Sequence, residues 1–332
     1  MKSTSEQRRR KFLWRTAWTG VAAAACLCAA PASAKELKVL MIGNSFSICV
    51  LKEWPAVAAA AGDRLDLASL YIGGCPLDRH SGNIDRAGDP SFLPYGFSYN
   101  YASVADQASA PVAKLGKKTN IPQALAADRW DIVTIQQASG KSPFAETYEP
   151  YAGKVIAKIR ELAPQAEIVV QETWSYSPYD SRLAKWKMTP AEMHAALRKA
   201  YHQLAARYGF RIIPVGDAVQ LFRTRLPVSY ETVLSAKEIA ALKEPDVPKF
   251  FGDVVGSASW RTKGKEGRHL AFDRSHLNPQ GHYLQALVWQ TKLFGTDVTA
   301  VGYRPAYVTE ANAKLMRRCA MDAVRGDLQA GK

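Results

Sequence analysis

The chain has 332 residues, of which 47% are hydrophobic, 22% charged and 10% aromatic, and its formal net charge is +14. That length is about twice the usual domain and within reach of one α/β domain with insertions; the composition supports a large core and excludes disordered, collagen-like and coiled-coil chains. Part of the charge is local: Lys2, Arg8, Arg9, Arg10, Lys11 and Arg15 face only Glu6, and beyond residue 34 there are 38 Lys and Arg against 29 Asp and Glu, a net of +9.

The first segment runs from this basic stretch through an apolar run at 17–30 to Ala32-Ser33-Ala34, the order of a cleavable export signal. Arg9-Arg10-Lys11-Phe12-Leu13 resembles a twin-arginine signal, with ordinary Sec export as the alternative. The expectation is removal of residues 1–34 and a periplasmic or secreted protein. No later segment has the unbroken apolar length of a membrane helix, so no stable membrane insertion is expected after cleavage. Cys49, Cys75 and Cys319 then remain, and an oxidising compartment allows a disulfide without implying one. No Cys-x-x-Cys or His-x-x-x-His spacing occurs, so neither a metal nor another cofactor is expected. The basic residues are scattered along the chain, which argues against a nucleic-acid partner.

From residue 37 short apolar, β-rich runs alternate with helix-length amphipathic segments, the rhythm of a parallel sheet covered on both faces. Strands are predicted at 37–42, 64–71, 131–136, 167–172 and 211–215, and helices at 46–61, 148–162, 190–208 and 279–294. Asn278 is placed to cap the last of these, with Pro279 at its first position. Two stretches break the rhythm, 73–121 and 221–270, and read as long insertions at the crevice end of the sheet, the second with a short helix near 235–242. The fold class is α/β: a three-layer α/β/α sandwich on a five-stranded parallel sheet, spanning 35–300, with a C-terminal helical extension over 301–332.

The first strand stops at Gly43-Asn44-Ser45, where a helix begins. A serine there lies among unpaired backbone N–H groups at the positive end of a helix, where a developing anion is stabilised; a simple capping role for Ser45 is the competing reading. As a nucleophile the serine needs a neighbouring base, itself held in the right tautomer by a third group. Of six histidines, His194 and His202 read as surface or packing residues of a helix, His269 and His282 lack a suitable loop, and His80 lies in a long loop where it can line a pocket. His276 differs, because Asp273-Arg274-Ser275-His276 directly precedes the capped last helix, and that spacing can bring the carboxylate to one imidazole nitrogen.

Gly43-Asn44-Ser45 and Asp273-x-x-His276 together resemble the first and fifth sequence blocks of the SGNH (GDSL-like) hydrolases. With Tyr71–Leu77 and His80, Gln136-Gln137-Ala138-Ser139 and Glu172-Thr173-Trp174 added, the chain resembles the DUF4886 branch of that superfamily from about Lys38 to Phe294. The resemblance implies a flavodoxin-like sandwich and hydrolysis of an ester through an acyl-enzyme, with Ser45 as nucleophile, His276 as base and then acid, and Asp273 as its orienter. It implies an oxyanion hole from the Ser45 N–H and Gly74, with Gly73 as the near alternative. The usual Gly-x-Asn-Asp of the third block is missing, so Gln137, or else Gln136, is the expected third donor. His80 is a candidate to line the pocket, and Trp174 and Tyr176, with Tyr179 nearby, are candidates to stack on a sugar ring or acyl chain, with core residues or crevice walls as the equal alternative. The expected activity is that of an exported carbohydrate O-acetylesterase acting on a small acylated or carbohydrate ester; a lipase or thioesterase on the same residues and a non-catalytic glycan binder are the alternatives.

Overall fold

The computed structural model describes residues 34–226, 234–248, 253–262, 264, 267–326 and 328. The expected export signal therefore lies outside the described residues. Seven strands form one sheet: β1 (Glu36–Gly43), β2 (Arg64–Tyr71), β3 (Tyr95–Tyr101), β4 (Lys118–Thr119), β5 (Ile132–Ile135), β6 (Glu167–Glu172) and β7 (Arg211–Pro214), in the order β4-β3-β2-β1-β5-β6-β7. β1 pairs in parallel with β2 and β5, and β6 and β7 continue in parallel, so the five predicted strands take the flavodoxin order. β1 is central, and Val39, Leu40, Met41 and Ile42 are all buried, as a strand covered on both faces requires.

The chain reverses direction at β1, and right-handed crossovers therefore send the helices to opposite faces. Leu77–Asp85 and Ile121–Ala126 pack on Tyr151–Leu162 in one layer, while Trp54–Ala60, Val215–Thr224 and Glu310–Arg325 pack around Pro279–Trp289 in the other. The C-terminal helix is part of that second layer, with Met316, Cys319 and Ala320 fully buried. Trp54 meets Trp289 edge-on at 5.0 Å and donates Nε1–H to Gln290 Oε1 at 3.0 Å.

Three expectations need correction. The sheet has seven strands rather than five, because the stretch 73–121 contains β3, which adds to β2 antiparallel, and β4, which adds antiparallel to β3. The helix expected at 46–61 is broken into Ser45–Ile48, a 3-10 turn Cys49–Lys52 and Trp54–Ala60, because Pro55 cannot donate to a preceding turn and instead suits a helix start. The stretch 221–270 holds the short helix Ala236–Ala241, capped by Ser235, and also β8 (Val255–Thr262), which pairs antiparallel with β9 (Arg268–Leu277). Among the described residues no helix is long and apolar enough to cross a membrane.

Candidate active site

The end of β1 is shaped by Gly43, where a Cβ would collide with the Ser47 hydroxyl. Asn44, not Ser45, is the cap of the short helix: its Oδ1 accepts the Phe46 N–H at 3.0 Å and a hydrogen from Gln136 Nε2 at 2.7 Å, and its Nδ2 donates to Cys75 O at 3.0 Å. One side chain thus joins the ends of β1 and β5 to the loop after β2. Ser45 is released from capping, and its Oγ lies 2.8 Å from His276 Nε2.

His276 comes from the other end of the chain on a bulge in β9. Val255 pairs with Leu277 and Ser257 with Asp273, so Gly256 on β8 faces three residues, Arg274, Ser275 and His276. Asp273 holds the bulge from within, its Oδ1 accepting the N–H groups of Ser275 (3.1 Å) and His276 (3.0 Å) and its Oδ2 lying 2.8 Å from His276 Nδ1. The hydrogen bond from the His276 ring, helped by these two amides and opposed by partial burial, holds the Asp273 carboxyl well below the usual carboxylate range. An ionised Asp273 can only accept, so Nδ1 of a neutral His276 carries the hydrogen and Nε2 is left to accept from Ser45. The side chains of His276 and Asp273 are 39% and 40% exposed, open enough to meet a substrate.

Two aromatic residues back this relay. Phe46 stacks on Trp174 at 4.3 Å and lies 5.3 Å from the His276 ring. Trp174 Nε1 donates to Ser275 O at 2.9 Å, and Ser177 N–H donates to Arg274 O at 2.9 Å, so the chain after β6 grips the bulge. Gln171 and Gln285 both donate to Phe46 O at 3.0 Å and fix the short helix from below. In the loop after β2, which Asn44 holds through Cys75 O, Gly74 has φ 60°, a conformation that favours glycine. Among the described residues the N–H groups of Ser45, Gly73 and Gly74 have no hydrogen-bond acceptor.

Other expected site residues lie elsewhere. Gln137 is buried; its Oε1 accepts the N–H groups of Leu77 (3.0 Å) and Ala138 (2.8 Å), and its Nε2 donates to Thr147 O (2.9 Å), so the amide ties three loops together rather than facing Ser45. Gln136 serves Asn44. His80 lies not in a loop but on the buried side of the helix Leu77–Asp85, 1% exposed, with Nδ1 2.9 Å from Tyr95 Oη, and burial lowers its pKa to about 4. Tyr176 is fully buried, its hydroxyl on Ser139 Oγ at 2.9 Å, and Trp174 is equally inaccessible. These three are walls and supports, not substrate contacts.

Cys49, Cys75 and Cys319 are free and buried. Cys49 Sγ donates to Ser45 O at 3.1 Å, and burial, with the Asp273 charge adding, pushes its thiol up to about 12. His194 is not a bland packing residue. Its Nε2 lies 2.9 Å from Asp217 Oδ1, and Glu172, His194 and Asp217 hold their ligating atoms within 4.8 Å of one another. Arg198 Nε already reaches both Asp217 oxygens, at 3.0 and 3.2 Å, and Asp217 N–H donates to Glu172 Oε1 at 2.9 Å, so the set is a hydrogen-bonded network completed by a guanidinium. Burial, then the neighbouring Asp217, pushes Glu172 well above the usual carboxylate range.

The five parallel strands in flavodoxin order thus carry a serine after the first strand that meets an aspartate–histidine pair ahead of the last sheet-covering helix. The chain belongs to the DUF4886 family: residues 38–228 match its model, described as a domain of unknown function. The chain is similar to a DUF4886 family protein from Bacteroides uniformis, with 24% identity, 88% of this chain and 96% of that one covered, and a TM-score of 0.66. It is more distantly similar to a proposed SGNH hydrolase from Slackia heliotrinireducens (19% identity, 76% of this chain and 96% of that one, TM-score 0.42). The corresponding values for a proposed GDSL-like lipase from Parabacteroides merdae are 13%, 77%, 95% and 0.41. No curated protein matches the sequence.

Proposed function

We propose that the protein is an exported serine esterase that hydrolyses a carboxylic ester, with an O-acetylated carbohydrate as its substrate class. The observation that carries this reading is the unbroken relay from Ser45 Oγ to His276 Nε2 at 2.8 Å and from His276 Nδ1 to Asp273 Oδ2 at 2.8 Å.

In the first half-reaction Ser45 Oγ bonds to the ester carbonyl carbon as its proton passes to His276 Nε2, and Asp273 stabilises the resulting imidazolium. The carbonyl oxygen, now an anion, is received by the N–H groups of Ser45 and Gly74, with Gly73 as the alternative donor. Each such donor stabilises the transition state by roughly 3 kcal/mol. The tetrahedral adduct then expels the alcohol, which takes the proton from His276. Water repeats the sequence on the acyl-enzyme, releasing the acid and restoring Ser45. With Gln137 engaged elsewhere, two backbone donors form the hole.

Charged and polar side chains line the cavity beside His276, which favours a hydrophilic alcohol over a long lipid chain. Export rests on the paired arginines, apolar run and small residues of the first 34 positions. The test is turnover of an aryl acetate: Ser45→Ala is expected to lose about four orders of magnitude with its circular dichroism unchanged, and unchanged turnover rejects the reading.

A further inference from the structure

Ester hydrolysis fixes the direction in which the two halves of a substrate leave. The acyl oxygen turns toward the N–H groups of Ser45 and Gly74, and the alcohol oxygen takes its proton from His276 Nε2, so the alcohol lies on the His276 side. A cavity of about 750 Å³ opens on that side, bounded by Asp180, Arg182, Arg261, Asp273, Arg274 and His276. Its size suits a sugar-sized group.

The charges around it do not balance. Arg182 is neutralised by Asp180, with Nε on Oδ1 at 2.9 Å and Nη2 on Oδ2 at 2.6 Å, and its guanidinium lies over the Tyr176 ring at 3.9 Å. Asp273 is held by the neutral His276 and keeps its negative charge, so three guanidiniums against two carboxylates leave the lining with one positive charge in excess. Arg274 and Arg261 have no carboxylate partner among the described residues. Arg261 Nε reaches only Ser259 Oγ, at 3.1 Å. The guanidinium of Arg274 rests over Phe272 at 4.6 Å, and its buried Nε has no hydrogen-bond partner. The Nη groups of Arg274 make no hydrogen bond among the described residues, and the end of a guanidinium matches a carboxylate with two parallel hydrogen bonds.

We infer that the alcohol half of the substrate is anionic, an O-acylated sugar or similar alcohol bearing a carboxylate that Arg274 binds with help from Arg261. The inference rests on the esterase reading for the orientation of the substrate and names the substrate class of that site. Arg274 is the principal specificity residue, because it sits inside the bulge that carries His276 and so fixes the anion relative to the scissile bond.

The probes are 4-acetoxybenzoate and its neutral counterpart 4-acetoxybenzamide, which place the carboxylate or the amide on the leaving alcohol. The ratio of their kcat/KM values cancels general damage to the bulge. Wild type is expected to favour the anionic ester by about tenfold, with the preference shrinking at high salt. Arg274→Gln is expected to remove most of that ratio, chiefly through KM, and Arg261→Gln a smaller part. A ratio near one in wild type, or one unchanged in both variants, overturns the inference while leaving the esterase reading standing. Calorimetric binding of 4-acetoxybenzoate to the Ser45→Ala protein separates the two: binding that is lost on adding Arg274→Gln supports the anion site even where neither ester is hydrolysed. Absence of both binding and hydrolysis overturns both.

Discussion

Trp174 donates its indole N–H to the carbonyl oxygen of Ser275 at 2.9 Å and stacks on Phe46 at 4.3 Å, so one buried ring couples the short helix that begins at Ser45 to the bulge that carries His276. It makes Trp174 a positioning residue. Trp174→Phe keeps the stack and removes the hydrogen bond, leaving Ser275 O short of a partner at a cost of about 1–2 kcal/mol. We expect kcat on an aryl acetate to fall about tenfold with KM little changed. An unchanged kcat with a lower melting temperature shows the bond to be purely structural.

Asp273 should act through the tautomer of His276. Asp273→Asn keeps the shape of the carboxylate and can donate to Nδ1, which turns the ring's hydrogen toward Ser45; turnover should fall about 10⁴-fold. The carboxyl of Asp273 is held below its unfolded value, mainly by the His276 hydrogen bond, so its contribution to stability is complete above about pH 4 and is lost as pH falls toward the folded value. The gap in melting temperature between wild type and Asp273→Asn should be constant from pH 5 to 7 and narrow below pH 4. A gap that widens in acid contradicts this sign.

His80 supplies a stability change in a different window. Burial, with Arg79 adding, lowers its pKa to about 4 in the fold against an ordinary value near 6.5. The folded state therefore resists a proton that the unfolded chain accepts, and its stabilising effect is complete above pH 6.5 and lost toward pH 4. The shift corresponds to about 3 kcal/mol across that window. His80→Asn retains a group that can meet Tyr95 Oη and should flatten denaturant midpoints between pH 6.5 and 4; an unaltered slope places the acid sensitivity elsewhere.

The thiols should be inert. Burial pushes Cys49 and Cys75 up to about 12 and Cys319 up to about 11, and none is in a disulfide. Thiol-reactive dye at pH 8 is expected to modify none of the three until denaturant is added, and a reductant should leave the melting temperature unchanged. Rapid labelling of the native protein counts against the packing around Cys49.

The five parallel strands were legible because each is an apolar run bounded by turn residues, and Ser45 was legible because a strand end and a helix start meet there. β3 carried a signal that the Gly- and Pro-rich surroundings obscured: Tyr95, Phe97, Tyr99 and Tyr101 alternate with Gly96, Ser98 and Asn100, the period of a strand. Asp273 and His276 were paired on spacing alone, but the bulge that makes the spacing work depends on β8, whose short mixed sequence has no clear period. In sequence alone His80, Trp174 and Tyr176 suit a crevice as well as a core, because their side chains are both bulky and polar. Each instead completes a buried hydrogen bond, to Tyr95, Ser275 and Ser139, between residues far apart in sequence. The unpaired state of Arg274 is likewise invisible in sequence, since it depends on Asp180 being taken by Arg182, two residues along the chain.

The activated state of Ser45 is tested most directly by a fluorophosphonate probe followed by mass spectrometry of the intact protein and its peptides. One adduct is expected on wild type, located at Ser45, absent from Ser45→Ala and strongly slowed in His276→Ala. A folded wild-type protein that remains unmodified, or one labelled equally well without His276, contradicts the account.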